Sequence, residues 1–208
     1  MKTGIIAMLS VKKHQKMNFI AGGQTVGCAA MRITSGILKG RQFKVPKTGV
    51  RPTTERTREA VFSSLAARVE GAKVLDLFAG AGGLGLEAWS RGAAEVTSVE
   101  NSSNVWKNLQ KNFQTLEADG VGRWEAVRSD VYAFLKRAYS SYDLIFADPP
   151  YDEVDLPRLL DAIGDALAPG GLLVFEMRGR DPYTLPPEWT PLKEKKYGST
   201  KVIFLERK

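Results

Sequence analysis

The pattern of apolar positions becomes regular at Lys73 and stays so to the C-terminus. Short apolar runs alternate with longer segments in which apolar residues recur at helical spacing. The short runs predict buried strands and the longer segments predict helices. Strands that alternate with helices in this way indicate an α/β fold with a doubly wound, mostly parallel sheet.

The predicted elements follow this alternation along the core. We expect strands at 74–78, 95–99, 124–128, 142–147 and 172–175, and helices at 84–90, 104–116, 131–139 and 156–167. Two more apolar stretches, 192–196 and 202–205, flank a Tyr-Gly-Ser turn and predict a terminal hairpin.

The chain before this core divides into three parts. Residues 1–30 show no periodicity, which predicts an extension outside the fold, either disordered or the product of a start codon placed too far upstream. Residues 31–47 alternate apolar and basic positions between glycine turns, and they predict a small basic β-hairpin. Residues 53–69 predict a helix capped by one of two threonines. We therefore expect one domain over 31–208, with its core at 73–208.

A glycine-rich loop, Asp-Leu-Phe-Ala-Gly-Ala-Gly-Gly-Leu-Gly at 76–85, follows the first core strand and opens a helix. Glu100 lies twenty residues after Gly80, at the end of the next strand. This spacing is typical of a site that binds a nucleoside cofactor and holds its ribose through the acid. The spacing alone fits NAD as well as other nucleoside cofactors.

Three features favour S-adenosylmethionine over NAD. Asp76 precedes the glycines, where its charge repels a pyrophosphate but attracts the ammonium of a methionine moiety. The single histidine, His14, lies outside the core, so no histidine serves hydride chemistry. The third feature is the sequence Asp-Pro-Pro-Tyr at 148–151, the Asp148 loop, which has no role in a dehydrogenase. The residues expected at the cofactor are Asp76, Ala79, Gly80, Gly82, Glu100, Asp130 and Val131.

Two of these acids have a plain structural alternative. Glu100 is expected to accept both ribose hydroxyls, but it could also only cap the end of its strand. Asp130 ends the third core strand and is placed to reach the adenine amine. An N-cap of the next helix would explain Asp130 equally well.

The fourth core strand ends in Asp148-Pro149-Pro150-Tyr151. Two prolines cannot continue a strand or a helix, so a stiff loop must follow at the carboxyl edge of the sheet, where open α/β sheets bind ligands. The Asp148 carboxylate and the Pro149 carbonyl can accept the hydrogens of a base amine, and Tyr151 can stack on the base. We interpret these three as the catalytic residues, although four such letters alone also fit a simple turn.

The composition excludes several classes of protein. With 208 residues, 43% hydrophobic and 25% charged, the chain is typical of a globular protein. Cys28 is the only cysteine and His14 is the only histidine. A disulfide framework, a Cys/His zinc site and a histidine-based hydrolase are therefore excluded. The apolar stretch at 4–11 is too short to span a bilayer. We expect a cytoplasmic monomer that needs no metal.

The charge is unevenly distributed. Residues 1–58 hold twelve Lys and Arg but one acid, Glu55, whereas residues 59–208 hold eighteen basic and twenty-two acidic residues. A basic end of this kind favours contact with a polyanion, although a charge run is often only a solvated face. The residues expected to bind RNA are Lys39, Arg41, Lys44, Arg51, Arg56 and Arg58.

These motifs together resemble the bacterial 16S ribosomal RNA methyltransferases that modify N2 of guanine 966. The likeness covers the chain from about Met31 to the end. It lies in Met-Arg-Ile at 31–33, Arg-Pro-Thr-Thr-Glu-Arg at 51–56, the loop at 76–85, the Asp148 loop and Tyr-Gly at 197–198. Asp-Pro-Pro-Tyr is common among amino methyltransferases, and the Arg-Pro-Thr-Thr segment is the more specific mark.

The resemblance implies a seven-stranded, Rossmann-like methyltransferase sheet with a reversed last strand. It also implies methyl transfer from S-adenosylmethionine to a guanine N2 of 16S ribosomal RNA, either naked or in an assembling small subunit. The rival hypotheses are an adenine-N6 methyltransferase of DNA or RNA, a cofactor-binding RNA module without turnover, and an NAD-dependent oxidoreductase. An adenine-N6 DNA enzyme usually carries a recognition domain for which this chain has no room.

Overall fold

A computed structural model describes residues 28–46, 53–118, 120–137, 141–150 and 154–208, and the structural statements below concern these ranges. Most of the predicted N-terminal extension lies outside them. Two of the predicted site residues, Arg51 and Tyr151, also lie outside them.

The N-terminal part forms a hairpin and a helix. Strands β1 (Cys28–Arg32) and β2 (Gln42–Pro46) pair antiparallel, and helix α1 (Glu55–Leu65) ends in a short 3₁₀ turn, Ala66–Arg68. The predicted hairpin is therefore present, although its first strand begins at Cys28 and not at Met31. Thr54 caps α1, since its hydroxyl accepts a hydrogen bond from the Thr57 amide.

The core alternates strands and helices as predicted. Its elements are β3 (Lys73–Leu77), α2 (Gly83–Ser90), β4 (Glu95–Glu100), α3 (Ser103–Leu116), β5 (Arg123–Arg128), α4 (Val131–Leu135), β6 (Tyr142–Ala147), α5 (Leu156–Gly164), β7 (Leu167–Arg178), β8 (Trp189–Tyr197) and β9 (Thr200–Arg207).

The seven core strands form one sheet in the order β5-β4-β3-β6-β7-β9-β8. The first five run parallel, and β9 lies antiparallel between β7 and β8. The doubly wound sheet and its reversed last strand are thus confirmed. The chain leaves β3 toward one edge of the sheet and leaves β6 toward the other, which opens a crevice at their carboxyl ends.

Both faces of the sheet are buried, which explains why its strands read as nearly continuous apolar runs. Along β3, Val74 packs into the cluster that includes α1 and α2, whereas Leu75 and Leu77 pack into the cluster that includes α5. Each of these three side chains is fully buried.

Strand β7 begins earlier than the sequence predicts. Tyr142 pairs with Leu167 and Leu144 pairs with Leu172, so the residues between these two pairs form a bulge. This bulge contains Pro-Gly-Gly at 169–171, which the sequence indicates as the turn before the strand. The preceding helix consequently ends at Gly164.

The hairpin is fixed to the core through α3. Asn112 accepts a hydrogen bond from the Lys44 amide at 3.0 Å and donates to the Lys44 carbonyl at 2.8 Å and the Ala81 carbonyl at 3.0 Å. The Arg41 guanidinium donates to the carbonyls of Thr115 and Leu116, the last turn of α3. A cation at a helix C-terminus also interacts favourably with the helix dipole.

A buried ion pair fixes α1 to α2 and to the hairpin. Arg58 is fully buried, and its Nε lies 3.8 Å from a carboxylate oxygen of the buried Glu87. Its other nitrogens donate to the carbonyls of Arg32 at 2.6 Å and Thr53 at 2.9 Å. Burial lowers the pKa of the Arg58 guanidinium, and the Glu87 carboxylate opposes that shift.

Glu87 completes this cluster by binding the turn that follows β1. It accepts hydrogen bonds from the amides of Thr34 and Ser35 and from the Thr34 hydroxyl. It also forms a 2.8 Å ion pair with Arg91 on its own helix. The turn after β1 is therefore bound directly to the Glu87 carboxylate, and the end of β1 and the Thr53 carbonyl are bound to it through Arg58.

Replacement of Arg58 should destabilise the protein. Arg58→Met removes the buried charge beside Glu87 and leaves two main-chain carbonyls without their donor, and we expect a loss of about 3–5 kcal/mol in the free energy of unfolding. Arg56→Met, on an exposed side chain of the same helix, is the matched control and should change it by less than about 0.5 kcal/mol. Urea denaturation measures both. Equal stabilities for the two variants would contradict the role given to Arg58.

Candidate active site

A cleft of about 1830 Å³ opens at the carboxyl edge of the sheet. Ordinary ligand sites measure roughly 300–1,000 Å³, so this cleft has room for a cofactor and a second molecule. Its walls are the glycine loop after β3, the ends of β4 to β7, the start of α1, parts of β2, and the turn between β8 and β9.

The glycine loop turns sharply between β3 and α2. Phe78 adopts a positive φ of 58°, an uncommon conformation for a bulky residue that costs on the order of 1–3 kcal/mol and is frequent at binding sites. Phe78, Ala79 and Gly80 line the cleft. Phe78 could not be identified from the sequence, because no residue type signals a positive φ at this position.

Gly82 does not itself line the cleft. Its amide donates to the Ala79 carbonyl and its own carbonyl accepts from Leu86. A Cβ at this position would lie 2.6 Å from the Leu109 side chain, and φ is +89°. Gly82 therefore shapes the turn, and its contact with a cofactor stays a prediction.

Asp76 is a buried carboxyl beneath this loop. Its Oδ2 accepts a hydrogen bond from the Gly85 amide at 2.9 Å, and a Cβ on Gly85 would lie within 2.9 Å of the same oxygen. Burial raises the pKa of Asp76 to about 7; Asp148 and Glu100 add to the shift, and the Gly85 amide opposes it. A cationic ligand in the cleft would reverse this shift.

Glu100 lies at the end of β4 with both carboxylate oxygens held. Oε2 accepts from the Gly80 amide at 3.0 Å and Oε1 from the Ser102 amide at 2.7 Å. Each oxygen keeps a second lone pair, so the carboxylate can still accept two hydroxyls from the cleft. Glu100 can therefore cap the end of its strand and accept the ribose hydroxyls of a cofactor at the same time.

Asp130 and Val131 lie at the end of β5, on the wall of the cleft. Asp130 caps α4, since its Oδ1 accepts from the Ala133 amide at 2.9 Å. Asp130 therefore serves as the N-cap of α4, which is one of the two roles that the sequence allows. Val131 is buried and contributes an apolar surface.

Asp148 and Pro149 lie where β6 ends, across the crevice from Phe78. The Thr53 hydroxyl donates to Asp148 Oδ2 at 3.2 Å. Thr53 comes from the segment before α1, so the N-terminal part of the chain contacts the Asp148 loop directly. The Asp148 carboxylate, the Pro149 carbonyl and the glycine loop therefore share one cleft.

Glu176 is an acid in the cleft that the sequence analysis did not consider. Ala147 pairs with Phe175 in the parallel ladder of β6 and β7, so Glu176 lies beside Asp148. Glu176 is 2% exposed, and burial together with Asp148 and Asp76 raises its pKa well above the ordinary range. Its position after an apolar strand, like that of Asp148, is a signal that could have identified it.

The lining fits S-adenosylmethionine. Glu100 can accept ribose hydroxyls, Gly80 lets a ligand approach the main chain, and the buried Asp76 can pair with an ammonium. The acids Asp76 and Glu100 would repel the pyrophosphate of a dinucleotide.

The predicted RNA-binding residues fall into different environments. Lys39 and Lys44 are exposed on the hairpin, and Arg56 is exposed beside the cleft. Arg41 is exposed but already binds the end of α3. Arg58 is fully buried, so its predicted contact with RNA is wrong: the sequence shows its charge but not the buried Glu87 that pairs with it.

The turn between β8 and β9 also lines the cleft. Lys196, Tyr197 and Gly198 stand on this wall, and the sequence predicts the hairpin but not its place at the site. Among the residues that the structure describes, no helix is long and apolar enough to cross a membrane. Within the same ranges, no group of three or more Asp, Glu, His and Cys side chains could hold a metal ion.

Comparison with known proteins gives consistent results. Residues 31–206 match the family described as conserved hypothetical protein 95. The chain is 36% identical over 185 residues to ribosomal RNA small subunit methyltransferase D of Escherichia coli K12, covering 87% of this chain and 92% of that protein. It is 34% identical over 173 residues to the protein of the same name from Haemophilus influenzae, covering 81% and 89%.

Two solved structures share the fold. The methyltransferase candidate yhhF from Escherichia coli superposes with a TM-score of 0.76 at 33% identity, over 86% of this chain and 98% of that one. The 16S rRNA N2 G1207 methyltransferase of Thermus thermophilus, in complex with AdoMet and guanosine, superposes with a TM-score of 0.62 at 25% identity, over 88% and 50%.

The buried Asp76 should make the stability of the ligand-free protein fall as pH rises. Its folded pKa of about 7 lies above the ordinary value of 3.8, so between these values the folded state binds more protons than the unfolded state. Relative to Asp76→Asn, the parent should lose on the order of 4 kcal/mol of unfolding free energy from pH 4 to pH 8. Denaturation curves across that range measure the difference, and parallel pH profiles would contradict the shift.

Proposed function

Because the chain belongs to the family of ribosomal RNA small subunit methyltransferase D, we propose that it transfers a methyl group from S-adenosylmethionine to N2 of a guanine in 16S ribosomal RNA. Guanine 966 is the target that the family resemblance implies. The observation that carries the proposal is the shared cleft, which residues of the glycine loop and of the Asp148 loop both line. The relatives in this family are named as methyltransferases, which argues against an NAD-dependent oxidoreductase.

The Asp148 carboxylate and the Pro149 carbonyl are suited to an exocyclic amine. Both are acceptors, and an amine has two hydrogens to donate. The nitrogen is a poor nucleophile because its lone pair is delocalised into the ring. Two acceptors that hold its hydrogens favour the tetrahedral nitrogen that forms as positive charge develops, so they stabilise the transition state more than the ground state.

The bound cofactor supplies an electrophilic methyl group on a sulfonium. Glu100 and Gly80 would orient its nucleoside, and Asp76 would pair with its ammonium. The cleft would then hold the amine at Asp148 close to the methyl group, so that a carbon–nitrogen bond can form as the carbon–sulfur bond breaks. This proximity would lower the entropic part of the barrier. Tyr151 would stack on the extruded base.

Exposed cations beside the cleft would bind the RNA backbone. Lys39 and Lys44 on the hairpin and Arg56 at the start of α1 face solvent. Lys196 on the opposite wall adds a fourth cation. Phosphate contacts of this kind give affinity and position without reading the sequence.

Mass spectrometry of nucleosides tests the reaction. After incubation of 16S ribosomal RNA or assembling subunits with enzyme and labelled cofactor, we expect N2-methylguanosine. Asp148→Ala should lower turnover by about two to three orders of magnitude and leave cofactor affinity nearly unchanged, because it removes an acceptor used in the transition state. N6-methyladenosine as the sole product would overturn the substrate, and unchanged turnover with weaker cofactor binding would overturn the role of Asp148.

The salt dependence of RNA affinity tests the basic surface. Charge reversal at Lys39 and Lys44 should weaken RNA binding and reduce the slope of log affinity against log salt by about one per lost phosphate contact. Charge reversal at Lys136 and Arg137, exposed after α4, is the matched control and should keep the parental slope. If the variants of both pairs show the same salt slope, the RNA binds to another surface of the protein. Calorimetry should show the same cofactor affinity in all these variants.

A further inference from the structure

Glu176 is a buried acid to which the proposed reaction gives no role. It is 2% exposed, and its Oε1 has no hydrogen-bond partner in the part of the chain that the structure describes. A buried polar atom without a partner is unfavourable and is uncommon in native proteins. Glu176 also lines the cleft, so a ligand bound there can supply the partner that the empty protein lacks.

The register of the sheet places Glu176 beside the expected amine site. Ala147 pairs with Phe175 in the parallel ladder of β6 and β7, and both pack into the cluster that includes α5. Side chains alternate between the faces of a sheet, so Asp148 and Glu176, the next residue on each strand, both point to the other face. Neighbouring strands lie about 4.8 Å apart, so these two acids are adjacent at the carboxyl edge.

The place of Glu176 in the sheet favours the methyl acceptor over the cofactor as its ligand. The strand order is β5-β4-β3-β6-β7, and the residues suited to the cofactor lie on or after β3, β4 and β5. Asp148 follows β6, and Glu176 lies one strand farther from the glycine loop. A base whose amine is held at Asp148 can therefore present the rest of its edge to Glu176.

The Watson–Crick edge of guanine suits this arrangement. N1 carries a hydrogen and lies next to the N2 amine, and O6 follows on the other side of N1. A carboxyl group keeps an acceptor oxygen whether it is ionised or protonated, so Glu176 can accept the N1 hydrogen in either state. When protonated, it can also donate to O6. Adenine has neither a hydrogen on N1 nor an O6, so it cannot complete this pattern.

We propose that Glu176 determines the specificity for guanine: its carboxyl accepts the N1 hydrogen of the base while Asp148 and the Pro149 carbonyl hold the N2 amine. The inference rests on the proposed function, because it names the group that recognises the base in the same site. A site built to receive a hydrogen bond rejects a base that lacks the hydrogen, since the buried oxygen then stays without a partner.

Two substitutions of Glu176 separate hydrogen bonding from packing. Glu176→Gln keeps the shape and an acceptor oxygen, and its amide can donate to O6. Glu176→Met fills the same space with a thioether that is at most a weak acceptor. Glu206→Met is the matched control, because Glu206 lies near the end of β9 and is not among the described residues that line the cleft.

2-Aminopurine provides the corresponding change in the substrate, because it keeps the amine of guanine but lacks the N1 hydrogen and O6. The measurement is the single-turnover rate on 16S ribosomal RNA ligated to carry either base at the target position, naked or in assembled subunits as the parent requires. Glu176→Met should lower the ratio of the guanine rate to the 2-aminopurine rate about ten- to hundredfold. Glu176→Gln and Glu206→Met should keep the parental ratio. The intrinsic reactivity of the two amines cancels in this comparison.

The outcomes separate this inference from the proposed function. A parental ratio in Glu176→Met would overturn the inference and leave the guanine reaction standing. A parental ratio together with weaker cofactor binding by calorimetry would assign the acid to the cofactor instead. A parent that methylates no guanine in ribosomal RNA would overturn the proposed function, and the inference with it.

Thermal unfolding shows whether Glu176 has a structural task. Glu176→Met should unfold at or above the parental temperature, because the substitution removes a buried oxygen that has no partner. A marked fall would contradict the unpaired oxygen on which the inference depends and would overturn it.

Discussion

The buried ion pair between Arg58 and Glu87 is the constraint on which the site depends. Glu87 lies on α2, the helix that the glycine loop opens, and Arg58 lies on α1. Charges in an apolar interior persist only when they are paired and hydrogen-bonded, and this pair is satisfied mostly by the main chain of the N-terminal segment. The turn after β1 and the Thr53 hydroxyl therefore take their places relative to the core through this ion pair, whereas hydrogen bonds to α3 hold β2 and the start of that strand.

Three acidic side chains lie close together at the carboxyl edge of the sheet. Asp76, Asp148 and Glu176 occupy neighbouring strands at the point where the sheet reverses its order. Parallel strands bring their carboxyl ends to one edge, so residues far apart in sequence become electrostatic neighbours. Such a cluster is unfavourable in the empty protein and becomes favourable when a cation enters, which matches the sulfonium and ammonium of S-adenosylmethionine.

The sequence predicted the order of the elements and most of the cleft because both follow from local patterns. Apolar runs with turn signals located the strands, and acids directly after strands located Glu100 and Asp148. Arg58 was misassigned because burial depends on a partner on another helix, which a charge count does not show. The sequence could not show that Gly82 shapes the turn, because a positive φ and a ligand contact select the same residue type. Phe78 and the bulge in β7 depend on tertiary pairing and leave no local signal.

The bulge in β7 separates the register at the far end of that strand from the length of the chain before it. Four residues, 168–171, lie opposite a single residue of β6, and beyond them the two strands are in register up to Ala147 and Phe175. Side chains alternate between the faces of a sheet, so a slip of one residue would exchange Glu176 for an apolar neighbour beside Asp148. Relatives should therefore vary in length at this bulge and keep a constant length from Leu172 to Glu176. The spacing of the acids at the carboxyl edge thus depends on the pairing beyond the bulge and not on the length of the bulge itself.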